Sequence, residues 1–489
     1  MDRARDMLRS GDWLTRERIR LVAVALLLAS TLGFLYLVAT AHGGIDQQGR
    51  PLGTDFSNVY AAGSYANEVN ADAAFDPVQQ FARERAIFGA ATQFYGWHYP
   101  PFFLFIAAAL ALLPYGAALA VWQTVTLGLY LLAIRAIVFP SPRVRGEAQA
   151  ALGRCSFLLE RRCEASAMDE GASPLGSESR QRSLSLAHFA RSTSPRAAGR
   201  GDRSFWLLLA LAFPSVLINV GHGQNGFLTA ALIGGALVML DRRPLVAGIL
   251  FGLLVYKPQY GLMIPLVLAV SGRWKCFAAA AATVALLAAA TTLSFGASVW
   301  HAFLASTEFT RTVVLEQGNT GWYKIQSVFA WARMWGASIP VAYALQGAAI
   351  VALAGALARL WRGTAPYPLK AAALCLATIL ATPYSFDYDM MVLAPAIAYL
   401  AVDGFARGFG PWEKTMLAAL WLMPLLARTV AQVSLIPLGV PAMLAVFVMI
   451  VRRAEPGLAS PMAFSGASST IAAGPGGTAR GRDIAAFKS

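Results

Sequence analysis

Long apolar runs dominate the chain, and its polar residues gather between those runs rather than alternating with them. The first run, Leu21 to Ala41, holds no charge and follows a basic segment. A helix crossing a bilayer needs about 20 apolar residues, whereas a signal-peptide core has about 7–15. The run therefore predicts an anchoring span with residues 1–20 in the cytoplasm, although Ala39-Thr40-Ala41 mimics a cleavage site. Further runs lie near 100–113, 116–138, 205–220, 225–240, 245–256, 259–270, 276–295, 338–358, 369–383, 390–402, 415–430 and 436–451. Together they predict an all-α polytopic membrane protein with about twelve spans, since the short run 100–113 has no crossing left to make. That run is expected to be a half-inserted or interfacial helix on the outer side.

Charge sets the topology. Arg16, Arg18 and Arg20, then Arg242 and Arg243, Arg273 and Lys275, Arg359 and Arg362, and Arg452 and Arg453 all fall at the ends of runs. Cytoplasmic loops carry such clusters. On this reading 21–140 comprises the first span, an external loop and the helices after it, and 205–452 is the transmembrane core. Residues 141–204, with 11 Arg and seven acids, read as a disordered cytoplasmic insertion, and 453–489 as a disordered tail. Residues 42–99 carry six acids against three Arg and belong outside. Runs 245–256 and 259–270 are flanked on both sides by cytoplasmic charge, so Tyr256-Lys257-Pro258-Gln259 must turn a hairpin or a broken helix pair.

Composition then removes whole classes of function. Only 13% of the 489 residues are charged and 57% are hydrophobic, whereas soluble domains carry roughly 25% charge. The net charge of +14 is scattered over loop ends and not concentrated on one face, which argues against nucleic acid as a partner. The four cysteines show no metal-ligand spacing, and no phosphate-binding glycine loop occurs. Neither a metal nor another cofactor is expected.

With this topology, Asp55, His98, Tyr99, His222, Gln224, Asn225, Lys257, Gln259, Arg311, Tyr384, Asp387 and Asp389 all fall toward the outer side. Polar and ionisable groups at a bilayer are costly, so their convergence points to a site. Asp55 precedes a helix expected over 56–69 and is either its N-cap or a general base. Lys257, alone between Arg243 and Arg273, either snorkels or holds an anion such as phosphate. His98, in Trp97-His98-Tyr99-Pro100-Pro101, is either a belt residue or a donor to an anionic headgroup.

The chain resembles glycosyltransferase family 87, polyprenol-phosphate-mannose-dependent mannosyltransferases of the GT-C superfamily, over roughly residues 20–450. The stretches that carry the resemblance are Asp55-Phe56 with Tyr60 and Gly63, Tyr99-Pro100-Pro101, Gly223-Gln224-Asn225, and Ala247-Gly248 leading to Lys257-Pro258. It implies a GT-C-like bundle with a large first external loop carrying juxtamembrane helices, set in the inner cell membrane with its site on the periplasmic side. A hexosyl residue, mannosyl by the family's pattern, would pass with inversion from a polyprenyl-phosphate sugar to a glycolipid or an envelope glycan. Asp55 would be the base. Lys257, His98 and Arg311 would meet the leaving phosphate, Gln224 and Asn225 the sugar, and Tyr99, His222 and Asp387 would complete the substrate site. The 141–204 segment departs from the compact loop expected there. A secondary transporter or lipid flippase is the alternative, but it would call for charges buried mid-span on several helices; a membrane scaffold would need neither Lys257 nor the acidic loop.

Overall fold

The computed structural model describes residues 2–139 and 200–455. The insertion and tail expected at 141–204 and 453–489 lie outside these residues except at their edges, where the helices Arg200–Leu211 and Gly439–Ala454 run into them. The described residues are helical, with isolated β-bridges and no longer strand. Among the described residues, six helices are long and apolar enough to cross a membrane: Arg16–Thr40, Tyr115–Val138, Trp274–Phe295, Ile339–Arg362, Asp387–Arg407 and Glu413–Ser434. Arg203–Leu211 and Pro214–His222, bent by 50° at Ala212-Phe213, make up to a seventh. Other apolar runs fold as the shorter helices Gly226–Met239, Pro244–Tyr256, Pro258–Val270 and Tyr367–Leu380. The helix Arg16–Thr40 buries only Ala23 within the protein, as an anchor facing lipid should. A further helix, Asp2–Ser10, precedes it and was not expected.

The bundle has two chemically different ends. At one, Arg273 pairs with Asp241 and stacks on Trp361, Arg453 bridges Asp403 and Glu413, and Arg16 lies over Phe205. These are the clusters that the sequence assigns to one membrane side. At the other end stands a layer of short helices from the first loop, Phe56–Asn67 and Pro77–Phe88, with Ser298–Phe309 beside them. The run at 100–113 ends as a short helix, Pro101–Ala111, packed on Phe56–Asn67. The approach is close: a Cβ on Gly63 would sit 2.1 Å from the Ala107 carbonyl oxygen. Bulk at that position would force the two helices apart.

The hairpin at 244–270 forms as its flanking charges require. Gly248 faces Cys276, Ala279 and Ala280, while Gly252 faces Ala280 and Thr283. The first arm thus runs parallel to Trp274–Phe295. The second arm, joined to that helix by a short turn, must run the opposite way. The Arg273–Asp241 pair ties the two feet together. Two 3-10 turns, Leu254–Tyr256 and Pro258–Gly261, make the tip and carry Lys257 between them. Proline at 258 has no N–H to give, which suits a break in the helix.

Candidate active site

Asp55 occupies the N-cap position of Phe56–Asn67, yet its carboxylate makes no capping hydrogen bond. The capping explanation is therefore removed. Instead Gln224 Nε2 donates to Asp55 Oδ2 at 2.6 Å, and the other carboxylate oxygen has no protein partner among the described residues. Gln224 is positioned by the turn after Pro214–His222, where Gly223 adopts φ +63° at the helix C-cap. A Cβ on Gly223 would come within 2.5 Å of Phe56 Cβ, so only glycine lets this turn reach the start of the Asp55 helix. Thr54 and His222 close the same junction through an Oγ1–Nδ1 hydrogen bond of 2.7 Å. The Tyr99 hydroxyl lies 3.4 Å from Gln224 Oε1, and Asn225 presents a buried Oδ1 without a donor. Beneath them Tyr256 bonds Thr229, 2.5 Å away.

Lys257 meets its anion inside the protein. Its Nζ stands 2.6 Å from Asp389 Oδ1, with both side chains at most 4% exposed. Asp389 also accepts from the Phe386 amide at 2.9 Å. Each member of such a buried pair holds the other in place. The expectation of an unmet cation at Lys257 is thus corrected: its charge is met by Asp389, and the pair locks the hairpin tip to the Asp387–Val392 turn.

Asp387 is handled differently. Arg428 Nη1 approaches its Oδ2 at 3.3 Å, and the Tyr388 amide donates to its Oδ1 at 2.9 Å. Lys324 lies within electrostatic range of Arg428, Asp387 and Asp55, and His222 within range of Asp387. Neither cation stood out in the sequence. Arg428 sits inside an apolar run, and Lys324 looks like an ordinary loop lysine.

Two further candidates have protein partners of their own. His98 Nδ1 bonds Thr310 Oγ1 at 2.9 Å, and its ring lies near Tyr384. Burial holds its pKa down to about 4, so at neutral pH it brings a hydrogen bond but no charge. Arg311 is exposed and paired with Glu308 at 2.6 Å and Glu316 at 3.1 Å. Its charge is answered locally. Glu84, by contrast, was overlooked: it is fully buried, accepts from the Tyr95 amide at 3.0 Å, and leaves Oε1 without a partner. Burial is the main cause that raises its pKa to about 8, and the Asp55 carboxylate adds to the shift.

Beside the hairpin tip lies an apolar cavity of about 820 Å³, lined by Phe251, Leu254, Ile264, Phe277, Ala281 and Ile350. Gln259 and Thr382 border it near the polar cluster. Among the described residues no three His, Cys, Asp or Glu side chains converge as a metal site would require.

The described residues thus form a helical membrane bundle with a cluster of buried polar side chains next to an apolar recess. The model of glycosyltransferase family 87 matches residues 97–162 and 182–383, more than half of the chain. The chain belongs to that family and is a glycosyltransferase. The match takes in His98, Tyr99, His222, Gln224, Asn225, Lys257 and Lys324; Asp55, Asp387 and Arg428 lie beyond its ends. Neither a curated protein nor a solved structure matches the chain.

Proposed function

We propose that the enzyme moves a hexosyl residue, read as mannosyl, from a polyprenyl-phosphate sugar to a membrane-proximal acceptor, a glycolipid or an envelope glycan, with inversion. The twelve-span reading counts the shorter apolar helices and Gly439–Ala454 as passages between the two ends. By the positive-inside rule, the basic clusters favour a site on the external, periplasmic face of the cell's inner membrane. The observation that carries the proposal is the Asp55 carboxylate: released from capping, oriented by Gln224 at 2.6 Å, and left with one free oxygen.

Asp55 takes the proton of the acceptor hydroxyl as that oxygen attacks the anomeric carbon, and the bond from that carbon to the phosphate oxygen breaks on the opposite face. The leaving electron pair stays on the phosphate, so no acid need protonate it. Gln224, Asn225 and Tyr99 offer donors and acceptors to sugar hydroxyls, with Asn225 Oδ1 already stripped of water. His222, tied to Thr54, and Asp387 border the same junction. The apolar cavity beside the hairpin suits the donor's hydrocarbon chain. A reaction of this kind needs no divalent metal if side-chain cations meet the phosphate charge. Asp55→Asn should abolish sugar transfer in membranes supplied with a labelled polyprenyl-phosphate sugar, at unchanged protein level and melting temperature. Turnover within a few-fold of wild type would remove Asp55 as the base.

A further inference from the structure

We infer that Lys324, with Arg428, forms the seat for the phosphate of the lipid-linked donor; the inference rests on the glycosyl-transfer reading above. Ile325 pairs with Phe386 in an isolated antiparallel bridge, and the Gln326 amide donates to the Ser385 carbonyl at 2.6 Å. In that register Lys324 falls opposite Asp387. The Trp322–Lys324 turn packs on the helix Glu413–Ser434, which supplies Arg428 to the same carboxylate. Two cations therefore flank one carboxylate.

Arg428 reaches Asp387, but the Lys324 ammonium has no hydrogen bond or ion pair among the described residues; the Tyr323 ring lies 5.8 Å from it, and Asp387 and Asp55 act on it only through space. Lys324 is half-buried, and burial first, then the nearby Arg428, push its pKa down against the opposing pull of Asp387 and Asp55. With no hydrogen-bonded partner of its own, the ammonium keeps its N–H donors for an incoming anion. Lys257 is the weaker candidate, because its charge is already paired with Asp389.

The electron count makes phosphate the fitting anion. Before transfer the donor phosphodiester and Asp55 each hold one negative charge. As the acceptor's proton passes to Asp55 and the bond from sugar to phosphate breaks, both charges end on the lipid phosphate. Negative charge thus travels from Asp55 toward Lys324 and Arg428, and cations already held there act where charge develops.

The test measures binding and needs no turnover. The full chain in nanodiscs is titrated with farnesyl phosphate, farnesol and inorganic phosphate, as wild type, Lys324→Gln and Lys324→Arg. Lys324→Gln should bind farnesyl phosphate about tenfold more weakly, the scale of one lost charge-assisted contact. Farnesol binding should not change, and Lys324→Arg should stay near wild type. Equal farnesyl phosphate affinity in wild type and Lys324→Gln would overturn the inference, as would wild type failing to prefer farnesyl phosphate over farnesol. Inorganic phosphate binding as tightly as farnesyl phosphate would exclude a lipid-linked source. Should Asp55→Asn retain transfer while this pattern holds, the base assignment fails and the phosphate seat stands.

Discussion

Glu84 offers the most quantitative test of how the layer next to Asp55 is built. The carboxyl is fully buried, with a backbone amide on Oε2 and nothing on Oε1, while the buried Gln80 one turn earlier has an Oε1 without a donor. A neutral carboxylic acid has a proton for such an acceptor; a carboxylate has none. The folded pKa of about 8 against an unfolded value near 4.5 means that the folded state holds a proton which the unfolded state releases. The contribution of Glu84 to stability is thus fully present below about pH 4.5 and is lost as pH rises toward 8. At about 1.4 kcal/mol per unit, the penalty above pH 8 comes to about 3–5 kcal/mol. Glu84→Gln keeps the shape and an acceptor for the Tyr95 amide but cannot ionise. Thermal unfolding of both proteins in detergent between pH 5 and 8.5 should show the variant gaining on wild type as pH rises, by about 5 °C across the range. Parallel pH profiles, or a variant that loses ground at high pH, would falsify the claim that Glu84 is neutral in the fold.

The other changes act on packing and pairing. Lys257→Met leaves Asp389 buried without its cation and should cost about 3–5 kcal/mol. The double change Lys257→Met with Asp389→Leu should recover much of that loss in melting temperature, and a double variant as unstable as the sum of the singles would deny the coupling. Gly63→Ala drives a methyl group into the Ala107 carbonyl and should cost about 1–3 kcal/mol, read as lost thermal stability; an unchanged melting temperature would mean that the two helices separate freely.

What the sequence revealed was the part governed by local pattern. Apolar runs became helices because a bilayer leaves few other options for the backbone. Charges on both flanks of 245–270 marked a hairpin because both feet had to stay in water. Asp55 stood out by its place after the anchor, although the free state of its carboxylate emerged only with Gln224, 169 residues away. Long-range pairings were invisible. Lys257 correctly asked for an anion, but Asp389 is 132 positions on and lay among several acids of similar standing. Glu84 sits between Arg83 and Arg85, so its local pattern reads as a solvated face, and only tertiary packing buries it. Arg311 was the opposite case. Glu308 and Glu316, close in sequence, pair with it, a local pairing that the sequence could have shown.

The hairpin that lifts Lys257 to Asp389 has its feet clasped by Arg273 and Asp241. Each residue of an α-helix turns the chain by about 100°. One residue added to or deleted from either arm would swing the ammonium off its carboxylate and leave two buried charges facing apolar walls. The arms are therefore gauged against each other from both extremities, like a strut cut to length, and insertions are intolerable there.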